Sequence, residues 1–316
     1  MNNLISYGNG IHAVDARYLR PKFAAIYLID EGGRIALVDT GTNNSLPLVM
    51  RALEQLGAAP DQVDYVLLTH IHLDHAGGAG LMMRTFPNAR LVVHPRGVRH
   101  MVDPSRLIAG TVAVYGVEEV RRLYGEVLPI DAAHIVEAVH DLRIDLGGRR
   151  LQVLDTPGHA LHHVCFRDEK TGHIFTGDAL GISYPEFDVG EKRFVFPGTT
   201  PIQFDPKAMH ASIDLLLSFN PGAFYPTHFG QVTEVARVAA DMHRLIDACV
   251  AVAQRHRNEG NASHAGICGD LADLLVAGIH AMGCPLERER ILALLIHDIE
   301  INAQGLEVWL DGAPRA

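Results

Sequence analysis

The stretch "THIHLDH" at residues 69–75 puts three histidines and an aspartate into seven positions. Histidine supplies 19 of the 316 residues, so chance is a poor account of one such H-x-H-x-D-H run. Neutral imidazole and carboxylate are good ligands for Zn²⁺, and His70 and His72, two apart in an extended segment, point the same way. Before the cluster, "VDYVLLT" (63–69) is a short apolar run of buried-strand type, and after it "HAGGAGLMMRTF" has helical character. The cluster therefore sits where a strand gives way to a helix.

The same placement recurs along the chain. Short β-rich runs are expected at 24–30 and 34–41, joined by a hairpin at "EGG", and at 89–94, 149–156, 162–168, 172–178 and 223–228. Helical spacing is expected at 44–57 and 205–219, helical and loop material at 103–138, and helices alone after about 231, near 231–258, 269–282 and 286–303. "NEGNASHAG" (258–266) reads as a linker. Asp39, the 70–75 cluster, His159 in "TPGHA", Asp178 in "TGDAL" and His228 in "YPTHFG" each follow an expected strand. In layered α/β folds the ends of several strands converge on one rim, where short loops build a site. Two metals sharing one ligand need about seven groups, and His70, His72, Asp74, His75, His159, Asp178 and His228 number seven.

In order, "VDTG", "THIHLDHAGG", "TPGHA", "TGDA" and "PTHFG" resemble the five motifs of the metallo-β-lactamase fold superfamily, in its branch of glyoxalase II-like thioesterases and lactonases, over residues 8–230. The resemblance implies an α/β fold, an αββα sandwich, with residues 1–230 as the hydrolase core and 231–316 as a C-terminal helical extension. It implies one metal on His70, His72 and His159, a second on Asp74, His75 and His228, and Asp178 as the bridge. Asp39, with Thr69, would hold ligands by hydrogen bonding rather than bind metal. The implied cofactors are two divalent ions, Zn²⁺ first with Fe or Mn as alternatives. The implied chemistry is attack of a metal-bridging hydroxide on a small ester, thioester or lactone, with Asp74 and Asp178 orienting the water and Asp74 passing a proton to the leaving group. The alternatives are a mononuclear-iron persulfide dioxygenase using His70, His159 and Asp178, and a sensor or effector working through its C-terminal helices.

Departures from the relatives narrow the substrate little. The position where lactonases of this family often carry Tyr is Gly181, and an Asn-Pro-Phe-Leu-Arg-like glutathione motif is missing. The segment 180–204 has no clear periodicity, and its Tyr184, Phe187, Phe194 and Phe196 are candidates to wall an apolar acyl pocket, against a reading as surface-loop anchors. The C-terminal helices, together with this segment, are expected to roof the metal site, the alternative being packing on outer helices or a homodimer interface.

Composition sets the outer limits. A net charge of −10 without a Lys/Arg run argues against nucleic acid and anionic membranes as partners, leaving a small-molecule acyl substrate. No window approaches ~18 unbroken apolar residues, and the start "MNNLISYGNG" lacks the basic and apolar regions of a secretion signal, so the expected location is the cytoplasm. Cys165, Cys249, Cys268 and Cys284 lack C-x-x-C spacing and are expected as reduced, mostly buried thiols. His94, His162 and His163 are expected to be structural rather than ligands.

Overall fold

The computed structural model describes residues 4–260 and 263–312. Its first sheet holds β1 (Leu4–Ser6), β2 (Ile11–Asp15), β3 (Ala25–Glu31), β4 (Arg34–Val38), β5 (Val63–Leu67), β6 (Arg90–Val93) and β7 (Ile135–Glu137), side by side in chain order. β1 to β4 pair antiparallel, and β4 to β7 pair parallel. The β3–β4 hairpin turns on Gly32 and Gly33, both at positive φ (59° and 83°), as a two-residue turn matching strand twist requires. Parallel neighbours need crossovers instead. These are α1 (Leu46–Gln55), then α2 (Leu73–Ala76) with α3 (Ala79–Thr85), then α4 (Pro95–Val102), α5 (Ser105–Tyr115) and α6 (Val117–Tyr124).

The second sheet contains β8 (Arg143–Leu146), β9 (Arg149–Asp155), β10 (Val164–Asp168) and β11 (Ile174–Gly177). β12 (Ile182–Ser183) pairs only with β13 (Val195–Phe196), and β14 (Phe224–Pro226) returns to lie parallel to β11. Alternate residues Ala25, Tyr27 and Ile29 of β3 face a core shared with Ile144 and Leu146 of β8, Leu151 and Val153 of β9, Val164 and Phe166 of β10 and Phe175 of β11. Ile26 and Leu28 of β3, which point the other way, are buried too. With α1 on β2, α3 on β6 and α4 on β7, the layers are those of an αββα sandwich. β7 lies inside a stretch expected as helix and loop. It has three half-buried or exposed residues and no apolar alternation of useful length, so only its pairing with β6 defines it.

The chain divides into two compact units. One takes residues up to Asp155 with His162–Gly177 and Gly222–Gln231, and the other takes Thr156–Leu161, Asp178–Pro221 and the chain from Val232 on. The second unit thus adds the 178–221 segment to the C-terminal helices. It contains α7 (Pro206–Ser218), capped by Asp205 accepting from Ala208 N at 3.1 Å, then α8 (Val235–Arg255), α9 (Ser263–Ala281) and α10 (Arg288–Gly312). α9 begins inside the expected linker, whose residues 261–262 lie outside the described residues. α10 runs nine residues past the expected 303. Among the described residues, no helix is long and apolar enough to cross a membrane.

Within the second unit α10 is fastened to the 180–204 segment. Asn302 Oδ1 accepts from Thr199 N at 2.8 Å, Asn302 Nδ2 donates to Pro197 O at 3.1 Å, and Thr199 Oγ1 donates to Asn302 O at 3.0 Å. Gly305 makes this approach possible: a Cβ there would lie 1.6 Å from Thr199 O. Tyr184 Oη donates to Asp298 Oδ1 at 2.8 Å, so a further turn of α10 holds the segment.

In the first unit, the guanidinium of a buried ion pair in the second sheet also reaches the backbone beside the first. Arg149 of β9 donates to both carboxylate oxygens of Asp168 on β10 (3.1 and 2.6 Å) and to Asn9 O at 2.7 Å, beside β2. Burial alone would push the Asp168 carboxyl up, but hydrogen bonds from Arg149 and Thr171 outweigh it and hold the group below the usual carboxylate range. Asp168→Ala leaves the buried guanidinium with the partly exposed Glu31 carboxylate, 3.6 Å away, as its remaining ionic partner and is expected to cost about 3–5 kcal/mol. In urea unfolding at neutral pH, Arg149→Met with Asp168→Ala should recover much of that loss. The pair's contribution should be complete above about pH 4, where an unfolded Asp is ionised, and should fade as pH falls through the lowered folded value.

Candidate metal centre

The placement of the site follows from strand direction. β4, β5 and β6 run parallel, so the residues after them, Asp39, Thr69–His70 and His94, emerge at one edge of the first sheet. β11 and β14 are parallel as well, and Asp178 and His228 follow them. The backbone leaves β5 extended at His72 (φ −61°, ψ 146°) and enters the single-turn helix α2, which carries Asp74 and His75.

Within the first unit, potential ligand atoms of Asp74, His75 and His228 lie within 4.8 Å of one another. His70 Nε2 and His72 Nδ1 are 2.9 Å apart, Asp74 Oδ2 lies 3.6 Å from His75 Nε2 and 3.4 Å from His228 Nε2, and Asp178 Oδ2 lies 3.5 Å from His159 Nε2.

The outer partners of the rings fix their tautomers. His159 Nδ1 is 2.9 Å from Gly198 O and His228 Nδ1 is 2.9 Å from Phe23 O; a carbonyl only accepts, so each Nδ1 carries the hydrogen and each Nε2 offers a lone pair. His75 Nδ1 stands 3.0 Å from Asp39 Oδ2 with the same result. Thr69 Oγ1 donates to Asp39, 3.0 and 2.9 Å from its two oxygens, which leaves that hydroxyl oxygen to accept from His70 Nδ1 at 3.1 Å. Asp39 also accepts from Thr69 N at 2.8 Å and from Thr227 Oγ1 at 2.7 Å. Four Nε2 lone pairs aimed by hydrogen-bond acceptors on the far side of their rings, with two carboxylates, are a ligand set that fits divalent cations of borderline softness.

Asp39 and Thr69 thus sit where expected, behind the rings. Asp39 is fully buried and has φ 61°, an uncommon conformation for a non-glycine residue that turns its carboxylate back onto Thr69, His75 and Thr227. His163 is buried and its ring stacks on His70 with centroids 5.1 Å apart. His94 caps α4, accepting from Arg96 N at 3.0 Å. Tyr184, Phe187, Phe194 and Phe196 form one buried aromatic cluster in the second unit. All four cysteines are free thiols, and Cys268 is the least buried.

Sequence reading missed the Tyr18–Tyr124 pair, whose hydroxyls are 2.6 Å apart. Burial first, then the charge of Asp74, pushes both phenols up, so they stay protonated. It also missed the Gly198 and Phe23 carbonyls, because a backbone acceptor leaves no trace in residue type.

This arrangement is set in a wider family. The profile of the metallo-beta-lactamase superfamily matches residues 19–228. The chain belongs to that superfamily. It is 25% identical over 234 residues to a metallo-beta-lactamase fold-containing protein of Sulfurisphaera tokodaii, spanning 71% of this chain and 80% of that one. It is 27% identical over 235 residues to a hydroxyacylglutathione hydrolase of Xanthomonas axonopodis pv. citri, spanning 74% and 70%. Among solved structures, a metallo-beta-lactamase family protein from Thermus thermophilus superposes with a TM-score of 0.67 at 22% identity, over 97% of this chain and 95% of that one, a likeness of fold.

Two substitutions away from the candidate ligands test how the rings are held. Asp39→Asn keeps the volume but replaces one acceptor oxygen with a donor facing Thr69, Thr227 and His75. Metal affinity measured by chelator competition should fall about 10–100-fold. Asn302→Ala strands Thr199 N–H and Pro197 O beside the Gly198 carbonyl that holds His159. It should cost about 1–3 kcal/mol in denaturant unfolding and weaken metal binding without removing a candidate ligand.

Proposed function

We propose that this chain is a dinuclear metal-dependent hydrolase of a small ester, thioester or lactone. The observation that supports it best is the grouping of Asp74, His75 and His228 in the first unit, three ligand-type side chains with atoms within 4.8 Å of one another, and Asp178 is the proposed bridge. His70, His72 and His159 would hold one ion, Asp74, His75 and His228 the other. Bound divalent ions, Zn²⁺ first with Fe or Mn as alternatives, would supply a water of lowered pKa and polarise a carbonyl oxygen. Similarity to a hydroxyacylglutathione hydrolase supports acyl transfer to water as the reaction class.

The chain's own carboxylates divide the remaining work by exposure. Asp39 and Asp178 side chains are 1% and 5% exposed, whereas that of Asp74 is 23% exposed. Asp178 is therefore assigned to orienting the water. Asp74 faces both the site and solvent, and is assigned to carry a proton from that water to the leaving group. The aromatic cluster of Tyr184, Phe187, Phe194 and Phe196 is the proposed neighbour of an apolar acyl group.

Elemental analysis of the purified chain should return about two metal equivalents, with turnover on an ester, thioester and lactone panel lost in His70→Ala. One tightly bound iron with persulfide oxidation would replace this reading with the dioxygenase. Two metals with no turnover on any acyl substrate would favour a sensor. Asp178→Ala should lower both metal content and turnover more than His72→Ala or His228→Ala, since it removes a group shared by both ions. Full metal content and near-normal turnover in Asp178→Ala would remove the bridge from the proposal.

A further inference from the structure

Away from the candidate centre, a second set of ligand-type side chains lies on the C-terminal helices. His264 and Cys268 are four residues apart on α9 and so share one face, and Glu300, Gln304 and Glu307 follow the i, i+4, i+7 spacing on α10, which packs against it. One atom each from His264, Cys268 and Glu300 lies within 4.8 Å of the other two. Cys268 Sγ is 3.5 Å from His264 Nε2 and 3.9 Å from Glu300 Oε2, and His264 Nε2 is 3.1 and 3.2 Å from the two Glu300 oxygens. Nitrogen, oxygen and sulfur ligands at about 2.0–2.3 Å from one tetrahedral ion stand about 3.3–3.7 Å apart. The three groups therefore need to move by only a few tenths of an ångström to share an ion.

Two further contacts brace these side chains. Glu307 Oε2 sits 2.9 Å from His264 Nδ1, on the far side of the ring, so Nδ1–H donates to Glu307 and Nε2, which donates to Glu300 while no ion is bound, is the nitrogen that would turn to a metal. Gln304 Nε2 donates to Glu300 Oε1 at 2.8 Å, holding that carboxylate and leaving Oε2 toward the thiol. His264 and Cys268 are half-buried and Glu300 is exposed, so an ion can enter from solvent and water can take the fourth position. A thiol, an imidazole and a carboxylate select a thiophilic, borderline ion over Mg²⁺ or Ca²⁺.

We propose that His264, Cys268 and Glu300 form a separate divalent transition-metal site, suited to Zn²⁺, with Glu307 orienting the imidazole, and that the bound ion ties α9 to α10. Binding releases the Cys268 thiol proton and the His264 Nε2 proton to solvent, leaving a thiolate and a neutral imidazole as ligands. The candidate centre is built from His and Asp alone, so a sulfur signature separates the two sites whatever becomes of the hydrolase reading.

Cobalt(II) titration of the reduced full-length chain tests it. Wild type should develop a thiolate-to-cobalt charge-transfer band saturating at one equivalent per chain, and Zn²⁺ should abolish the band and raise the melting temperature. Cys268→Ser and Glu300→Gln, checked for native circular dichroism, should lose the band. Glu307→Gln should keep it with cobalt affinity about ten to a hundredfold weaker. Asp178→Ala, which lies outside this set, should retain it. No thiolate band in wild type, or a band unchanged in Cys268→Ser or Glu300→Gln, or one lost in Asp178→Ala, would overturn the proposal.

Discussion

The buried carboxylate of Asp39 is the constraint on which the candidate centre rests. It accepts hydrogen bonds from the Thr69 amide and hydroxyl, the Thr227 hydroxyl and His75, tying the ends of β4, β5 and β14 to one pair of oxygens. A buried acceptor without donors would be costly, so the three loops are held in register by the need to satisfy it. The left-handed conformation of Asp39 follows from the same demand. Through Thr69 the network reaches His70, so two rings take their orientation from one residue that is not itself proposed as a ligand.

Sheet topology explains why these groups meet at all. Parallel pairing of β4, β5 and β6 delivers their following loops to one edge, and β11 and β14 do the same in the second sheet. The core between the sheets is largely apolar, with the phenols of Tyr27 and Tyr225 inside it and the candidate ligands outside it, in the segments that follow the strands. That separation lets imidazoles and carboxylates crowd together without disturbing the packing that holds the strands.

In the second unit, the C-terminal helices act on a site residue at one remove. Asn302 and Gly305 seat α10 against residues 197–200, and Gly198 O in that stretch holds His159 Nδ1. A helix some 140 residues downstream of His159 therefore helps set its tautomer. This gives the extension a physical connection to the proposed chemistry that is independent of any covering role.

The seven candidate ligands, Asp39 and the alternating strand and helix runs were legible because each leaves a mark in residue type and spacing. H-x-H-x-D-H after an apolar run needs no coordinates to stand out, and strong periodicity placed α1, α7 and α8. The edge strand β7, the early start of α9 and the length of α10 were not legible, since short or exposed elements are defined by their partners and not by their own pattern. Backbone acceptors are invisible for the same reason: Gly198 O and Phe23 O orient two imidazoles, yet any residue supplies a carbonyl. His264, Cys268 and Glu300 are ordinary helical residues until α9 and α10 pack together. Sequence determined which chemical groups this protein owns and which strand ends carry them. Tertiary structure alone decided which nitrogen of each ring is free and which distant helix holds it, because those depend on contacts between residues far apart in the chain.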